Sequence, residues 1–150
     1  SLKEENLEEF TRRFEQYVTD NIKDDQLLPQ IEIDCELTLA DIDSKFIRIL
    51  RQFEPFGPGN ANPVFCVRRI FDHNSNSRTV GKENEHLKLE ITDNSEMGIF
   101  MNGIAFRMAK DWMRIIKSKK PVDIVFTIED NNFNGNITSQ LMVRDIRLSE

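Results

Sequence analysis

Histidine, cysteine, tryptophan and tyrosine are all scarce in this chain, with two, two, one and one residues among 150. Two histidines leave little room for an imidazole-rich metal centre, because a closed or catalytic site needs three or four converging protein ligands. Asp72-His73-Asn74 has the residue types of a ligand pair, but the only other histidine is His86 and no further Asp/His pattern completes a site. Cys35 and Cys66 lack CxxC spacing, so neither a disulfide framework nor a zinc site is expected, and both are read as buried free thiols. No Ser/His/Asp or Cys/His set stands out. The glycines of Gly57-Pro58-Gly59-Asn60 are not followed by Lys-Ser/Thr, which excludes a P-loop. No apolar run approaches the roughly 20 residues of a membrane helix. The opening residues Ser1-Leu2-Lys3-Glu4-Glu5 are acidic and helical in character, unlike a signal peptide. A cytoplasmic protein without membrane contact is expected, and Ser1 in place of Met is read as the mark of a fragment. No catalytic residue, metal ligand or cofactor is expected within it.

Phenylalanine is plentiful at 11 residues, and 39% hydrophobic with 31% charged residues is ordinary for one globular domain, or a small domain with an arm. The net charge of −6 is unevenly placed. Ser1 to Glu54 holds seven Lys/Arg against fourteen Asp/Glu, whereas Pro55 to Glu150 holds thirteen against twelve. The second part is therefore free to present a basic face.

Leu7, Phe10, Phe14, Tyr17 and Val18 recur at helical spacing and predict an amphipathic helix that needs a partner surface, with a homodimer as one outcome. Ile31, Ile33, Cys35 and Leu37 alternate with Glu32, Asp34 and Glu36, the pattern of a half-buried strand with a solvated acidic face. Thr38 and Asp41 make an approximate capping box before a second helix with the stripe Ile42, Phe46, Ile49, Leu50 and Phe53. Residues 1–54 are thus expected to form a helix-strand-helix arm. Pro55, Phe56, Gly57, Gly59 and Asn60 lie in the densest cluster of breakers, residues 55–63, which is read as a rigid joint.

Residues 64–150 are expected to form the domain proper. Val64 to Phe71, Thr79 to Ile91, and Ile99 to Phe106 read as strands. Met108, Trp112, Ile115 and Ile116 follow on a short helix whose other face is Arg107, Lys110, Arg114 and Lys117. Strands from Pro121 and from Asn136 to Leu148 complete the order, joined by a turn at Asp130 to Gly135, and the last changes phase between Val143 and Ile146 as at a bulge. The order β-β-β-α-β-β is that of a five-stranded oligonucleotide-binding (OB) barrel, and an open α+β sheet is the rival. Arg68, Arg69, Arg78, Lys82, His86 and Lys88 fall on or beside the first two barrel strands, with Phe65, Phe71 and Phe100 close in sequence. Cations for phosphates and exposed aromatics for bases are what single-strand binding needs. The alternative is solvated charge over core phenylalanines, and Lys117, Lys119 and Lys120 read as solubilising.

Two stretches carry a family resemblance. Ile33-Asp34 through Leu37, then Leu50, Phe53-Glu54-Pro55-Phe56-Gly57-Pro58-Gly59-Asn60 and Pro63-Val64-Phe65, resemble the C-terminal region of RecJ-type single-strand-specific DNA exonucleases. So do Val80-Gly81-Lys82, His86-Leu87-Lys88-Leu89 and Gly103-Ile104-Ala105-Phe106, and Leu2 to Phe10 looks like the helix after the family's second conserved domain. The resemblance implies a parent that degrades single-stranded DNA from the 5′ end in repair and recombination. Its Asp-His-His domain binds manganese or magnesium, and its second domain carries a Gly-Gly-His motif. Neither motif occurs here, so no catalytic residue is carried over. What the resemblance implies for this chain is a non-catalytic module that binds single-stranded DNA. The alternative is a module that docks another protein, such as single-strand-binding protein.

Overall fold

A computed structural model describes residues 3–22, 30–93, 98–133 and 136–150. Contacts divide the chain into two units, Ser1–Glu32 and Ile33–Glu150. The first holds helix α1, Leu7–Asn21, after a 3-10 turn at Glu4–Asn6. Its apolar stripe is open, with Leu7, Phe10, Phe14 and Tyr17 exposed by 53, 52, 56 and 68%. Phe10 and Phe14 stack on one another at 5.9 Å. Hydrogen bonds from Arg12 and Arg13 lower the Glu9 carboxyl to about 2.

The second unit is mainly β with helices, as expected. Its elements are β1 Cys35–Glu36, α2 Ser44–Leu50, β2 Phe65–Asp72, β3 Arg78–Val80, β4 His86–Thr92, β5 Phe100–Ala105, α3 Ala109–Lys117, β6 Val122–Phe133 and β7 Asn136–Leu148. One seven-stranded sheet runs β1-β2-β6-β7-β5-β4-β3, with an additional pairing of β2 to β4. Seven strands replace the expected five for two reasons. A turn at Gly81–Glu85 divides the expected second strand into β3 and β4, and β1 joins the sheet from the presumed arm, pairing in parallel with β2.

The part of the expected arm from Ile33 onward therefore belongs to this unit and adds to its core. Asp34 and Val64 exchange two hydrogen bonds of 2.8 Å, and Leu39, Ile42 and Leu50 are buried in the same cluster as the sheet residues. This is why contacts divide at Glu32 and not at the breakers. The Ile31 to Leu37 strand shrinks to two residues, with Ile31 and Ile33 exposed, and Cys35 is exposed where a buried thiol was expected. Cys66 is buried, which pushes its thiol pKa up. The Thr38–Asp41 capping box exists but caps only a 3-10 turn, Leu39–Asp41, and α2 begins later with Asp43 accepting from the Phe46 N–H. The breaker block closes on itself. Gly59, at φ +80°, occupies the left-handed position of a turn whose Gly57 and Asn60 exchange backbone hydrogen bonds. The Asn60 amide also donates to the carbonyls of Phe53 and Pro55.

Leu87, Leu89 and Ile91 of β4, Ile124, Phe126 and Ile128 of β6, and Leu141 and Val143 of β7 point into the core. Period-two alternation turns Lys88 and Glu90 of β4 away from it, whereas on β6 Asp123 and Thr127 are buried as well. Helix α3 packs against β2, β3 and β4 through Ala109 and Ile116, with Trp112 and Met113 at the margin. The expected change of phase in β7 is a bulge: Val125 pairs with Asp145 and Phe126 with Val143, leaving Arg144 between. Strand β6 runs on to Phe133 through the segment read as a turn, and Asn134 and Gly135 lie outside the described residues.

A buried polar site in this sheet centres on Asp123. The Asp123 side chain is only 4% exposed, yet it accepts from the Arg69 N–H at 3.1 Å, Arg147 Nε at 3.1 Å, Arg68 Nη1 at 3.5 Å and the Ser149 hydroxyl. Burial alone raises an aspartate's pKa, but here the bonds from Ser149, Arg69 and Arg147 prevail and lower it. Unfolding therefore takes up a proton between the lowered folded value and about pH 4. The stabilisation is complete above about pH 4 and is lost as pH falls through the lowered folded value. Asp123→Asn is expected to cost about 1.5–3 kcal/mol at neutral pH, and to flatten the acid limb of stability when urea midpoints are followed against pH. An unchanged acid limb would contradict this assignment.

Candidate nucleic-acid interface

The outward face of β4 and β5 collects most of the chemistry. On β4, His86, Lys88 and Glu90 alternate with the buried Leu87, Leu89 and Ile91. Antiparallel register sets Lys88 beside Ile104, Glu90 beside Asn102 and Thr92 beside Phe100. On the inner side Gly103 lies opposite Leu89 and against β7, where an added Cβ would sit 3.2 Å from the Leu141 carbonyl oxygen. The bulkier outward residues of β5 are thus Phe100 and Ile104, with Phe106 next in alternation just past the strand. Phe100 and Phe106 are 50 and 51% exposed. At the other edge, β3 sets Arg78 beside Lys88 and Val80 beside His86.

Each exposed ring is backed by a histidine. The His73 ring stacks on Phe100 at 4.7 Å with an interplanar angle of 11°, and His86 meets Phe106 edge-on at 4.9 Å. His86 Nδ1 accepts the Arg107 N–H at 3.1 Å, which leaves Nε2 as the protonated nitrogen, 3.2 Å from Glu85 Oε1. The Glu85 carboxyl is held below the usual range by its own N–H, then by that of Glu83, and by the charge of Arg107. His73 is placed by a tight turn in which Asn74 and Ser75 are both left-handed, at φ 49° and 59°. Such residues cost on the order of 1–3 kcal/mol each and persist only where neighbours fix them. The Asp72 carboxylate, 4% exposed, does so by accepting the Ser77 N–H at 2.9 Å and Lys117 Nζ at 3.0 Å, while Lys117 also donates to the Ser75 carbonyl at 2.6 Å. Asp72 and His73 thus have partners that account for them without a metal.

Of the basic residues singled out in the sequence, Arg78, Lys88 and His86 lie together, and Lys82 is exposed in the turn between β3 and β4. Arg68 and Arg69 lie apart, on β2 beside β6. Arg68 is ion-paired to Glu36 at 2.7 Å and to Asp123, and Arg69 gives its N–H to Asp123 and its guanidinium to the Glu150 carbonyl. Among the phenylalanines named with them, Phe65 is in the core against Phe46, Phe71 is half-buried and Phe100 is exposed. Phe106 was not among the aromatics named for base contact, although strict alternation from Phe100 through Asn102 and Ile104 puts it on the same face. Among the described residues no three His, Cys, Asp or Glu converge as a metal site.

Residues 33–145 match the family model for the RecJ OB domain. The single-stranded-DNA-specific exonuclease RecJ of Salmonella typhimurium is 28% identical over 97% of this chain, and that of Haemophilus influenzae 26% over 95%; the aligned region is 24% of each relative. The crystal structure of Thermus thermophilus RecJ in complex with Mg2+ superposes with a TM-score of 0.72 and 18% identity, over all of this chain and 21% of that one. The chain thus spans about a quarter of the curated relatives' length. It belongs to the RecJ OB domain family.

Proposed function

We propose that the Ile33–Glu150 unit is a non-catalytic module that binds single-stranded DNA for a 5′-to-3′ single-strand-specific exonuclease of repair and recombination. In this reading the pairings β2–β6–β7–β5–β4–β2 close five strands into an OB barrel, with β1 and β3 added at its edges. The observation that carries it is the pair of half-exposed rings, Phe100 and Phe106, backed by His73 and His86 and flanked by Arg78 and Lys88. Bases stack on such rings for about 1–3 kcal/mol each without regard to sequence, and nearby cations take the phosphates. Arg68 and Arg69 contribute through the fold, since their groups are engaged at Asp123. Manganese or magnesium belongs, in this reading, to another part of the parent protein.

A second reading, docking of an acidic protein tail such as that of single-strand-binding protein, draws on the same cations but leaves the aromatic pair without a role. Self-association through the open stripe of α1 is compatible with either.

Fluorescence anisotropy with labelled single-stranded and duplex oligomers tests the proposal. Phe100→Ala and Phe106→Ala are each expected to weaken single-strand binding about 5- to 100-fold, and Arg78→Gln with Lys88→Gln to weaken it while flattening its salt dependence. A wild-type preference for duplex, or affinity untouched by both phenylalanine changes, refutes it. Incubation of end-labelled single-stranded DNA with the pure chain and manganese is expected to leave the DNA intact, because hydrolysis needs metal held by several converging ligands. Turnover that survives repurification and is lost with His73→Ala contradicts the non-catalytic reading.

A further inference from the structure

The face of α3 turned away from the core has no part in the reading above. From Arg107 to Lys120 the chain carries six Lys/Arg and one acid, Asp111. Ala109 and Ile116 are buried, and Trp112 and Met113 pack at the core margin, so Lys110, Arg114 and Lys117 form a single outward stripe. Steps of four and three residues separate these charges by about 6 and 4.5 Å along the axis. Lys117 is tied to Asp72 and Ser75, but among the described residues Lys110 and Arg114 form no ion pair. The stripe begins where the aromatic face ends. Arg107 follows Phe106 directly, and with φ 59° and its N–H on His86 it turns the chain from β5 into α3. Arg107 and Lys110 also share a groove with Thr79, Glu83, Asn84 and Glu85, with the acids on the loop side and Lys110 on the helix side.

We propose that Lys110 and Arg114 bind the sugar-phosphate backbone of a single-stranded nucleic acid where it leaves the Phe106 end of the β4–β5 face. This extension rests on the face proposed above and assigns the strand a direction across the unit, around Arg107 and along α3. Charge and position favour a nucleic acid over an acidic peptide: the cations continue a path that starts at stacking rings, and the acids Glu83 and Glu85 direct phosphates toward the helix. Each phosphate neutralised on a single strand contributes about 0.7 to the slope of log affinity against log salt, so losing two such contacts lowers that slope by about 1.4.

The test uses the whole chain with oligothymidines of about 5 and about 15 nucleotides, the lower and upper range for one such fold. Anisotropy is measured at several salt concentrations for wild type, for Lys110→Gln with Arg114→Gln, and for Phe106→Ala. The double variant is expected to bind the long oligomer several-fold more weakly, with the reduced salt slope, and to bind the short one as wild type does. Phe106→Ala is expected to weaken both. Long-oligomer binding unchanged in the double variant, with Phe106→Ala still weakening it, overturns the α3 path alone. Equal weakening at both lengths overturns it too, since it marks a general field instead of a contact. Wild-type chain that binds neither oligomer overturns the aromatic face together with this extension. Oligoglutamate binding that depends on Lys110 and Arg114, while the long oligomer does not, gives the stripe to an acidic protein segment and overturns the proposal.

Discussion

The hydrogen bond from the Arg69 N–H to Asp123 is the interaction on which the rest depends. Between Val67 and Ile70 the register of β2 against β6 shifts, and Arg69 is left-handed at φ 54°. Such a bulge bends a strand and leaves an N–H without a ladder partner. Asp123 supplies that partner from the neighbouring strand, and Arg147, Arg68 and Ser149 compensate its buried charge. Past the bend β2 reaches β4, where Phe71 pairs with Thr92 and Asp72 with Ile91. That pairing fixes the outward face of β4 and β5, and it delivers Asp72 to Lys117 and His73 to Phe100. The chain of causes runs from a buried carboxylate to an exposed ring.

Surface ion pairs do less in this account. Arg51–Asp130 and the Arg12 and Arg13 contacts of Glu9 are exposed, and pairs of that kind contribute about 0–1 kcal/mol. The difference lies in desolvation. Asp123 and Asp72 are each 4% exposed, so loss of their partners leaves a charge that water does not reach.

Much of this was legible in the sequence because it is periodic. The alternation of β4, the helical stripes of α1 and α3, and the phase change that marks the β7 bulge follow from spacing alone. The extent of the arm's strand was not legible, because Ile31 and Ile33 alternate like a buried strand although both are exposed and only Cys35 and Glu36 join the ladder. Burial there is decided by a parallel pairing with β2 across a long separation in sequence. Arg68 and Arg69 illustrate a second limit. A bulge reverses which side a residue serves, and the acid that engages them lies on β6, far along the chain. Phe106 was within reach, since alternation from Phe100 along the expected Ile99 to Phe106 strand puts it on the same face.

In the proposed function the β4–β5 face, with Phe100 and Phe106, meets the bases of a single strand. Chemical-shift mapping of the 15N-labelled chain during titration with unlabelled oligothymidine tests it most directly. Shifts are expected to concentrate at Phe100, Asn102, Ile104, Phe106, Lys88 and the two histidines, and to leave the Asp123 site unmoved. Shifts centred on Arg68, Arg69 and Asp123, with the β4–β5 face silent, would contradict it.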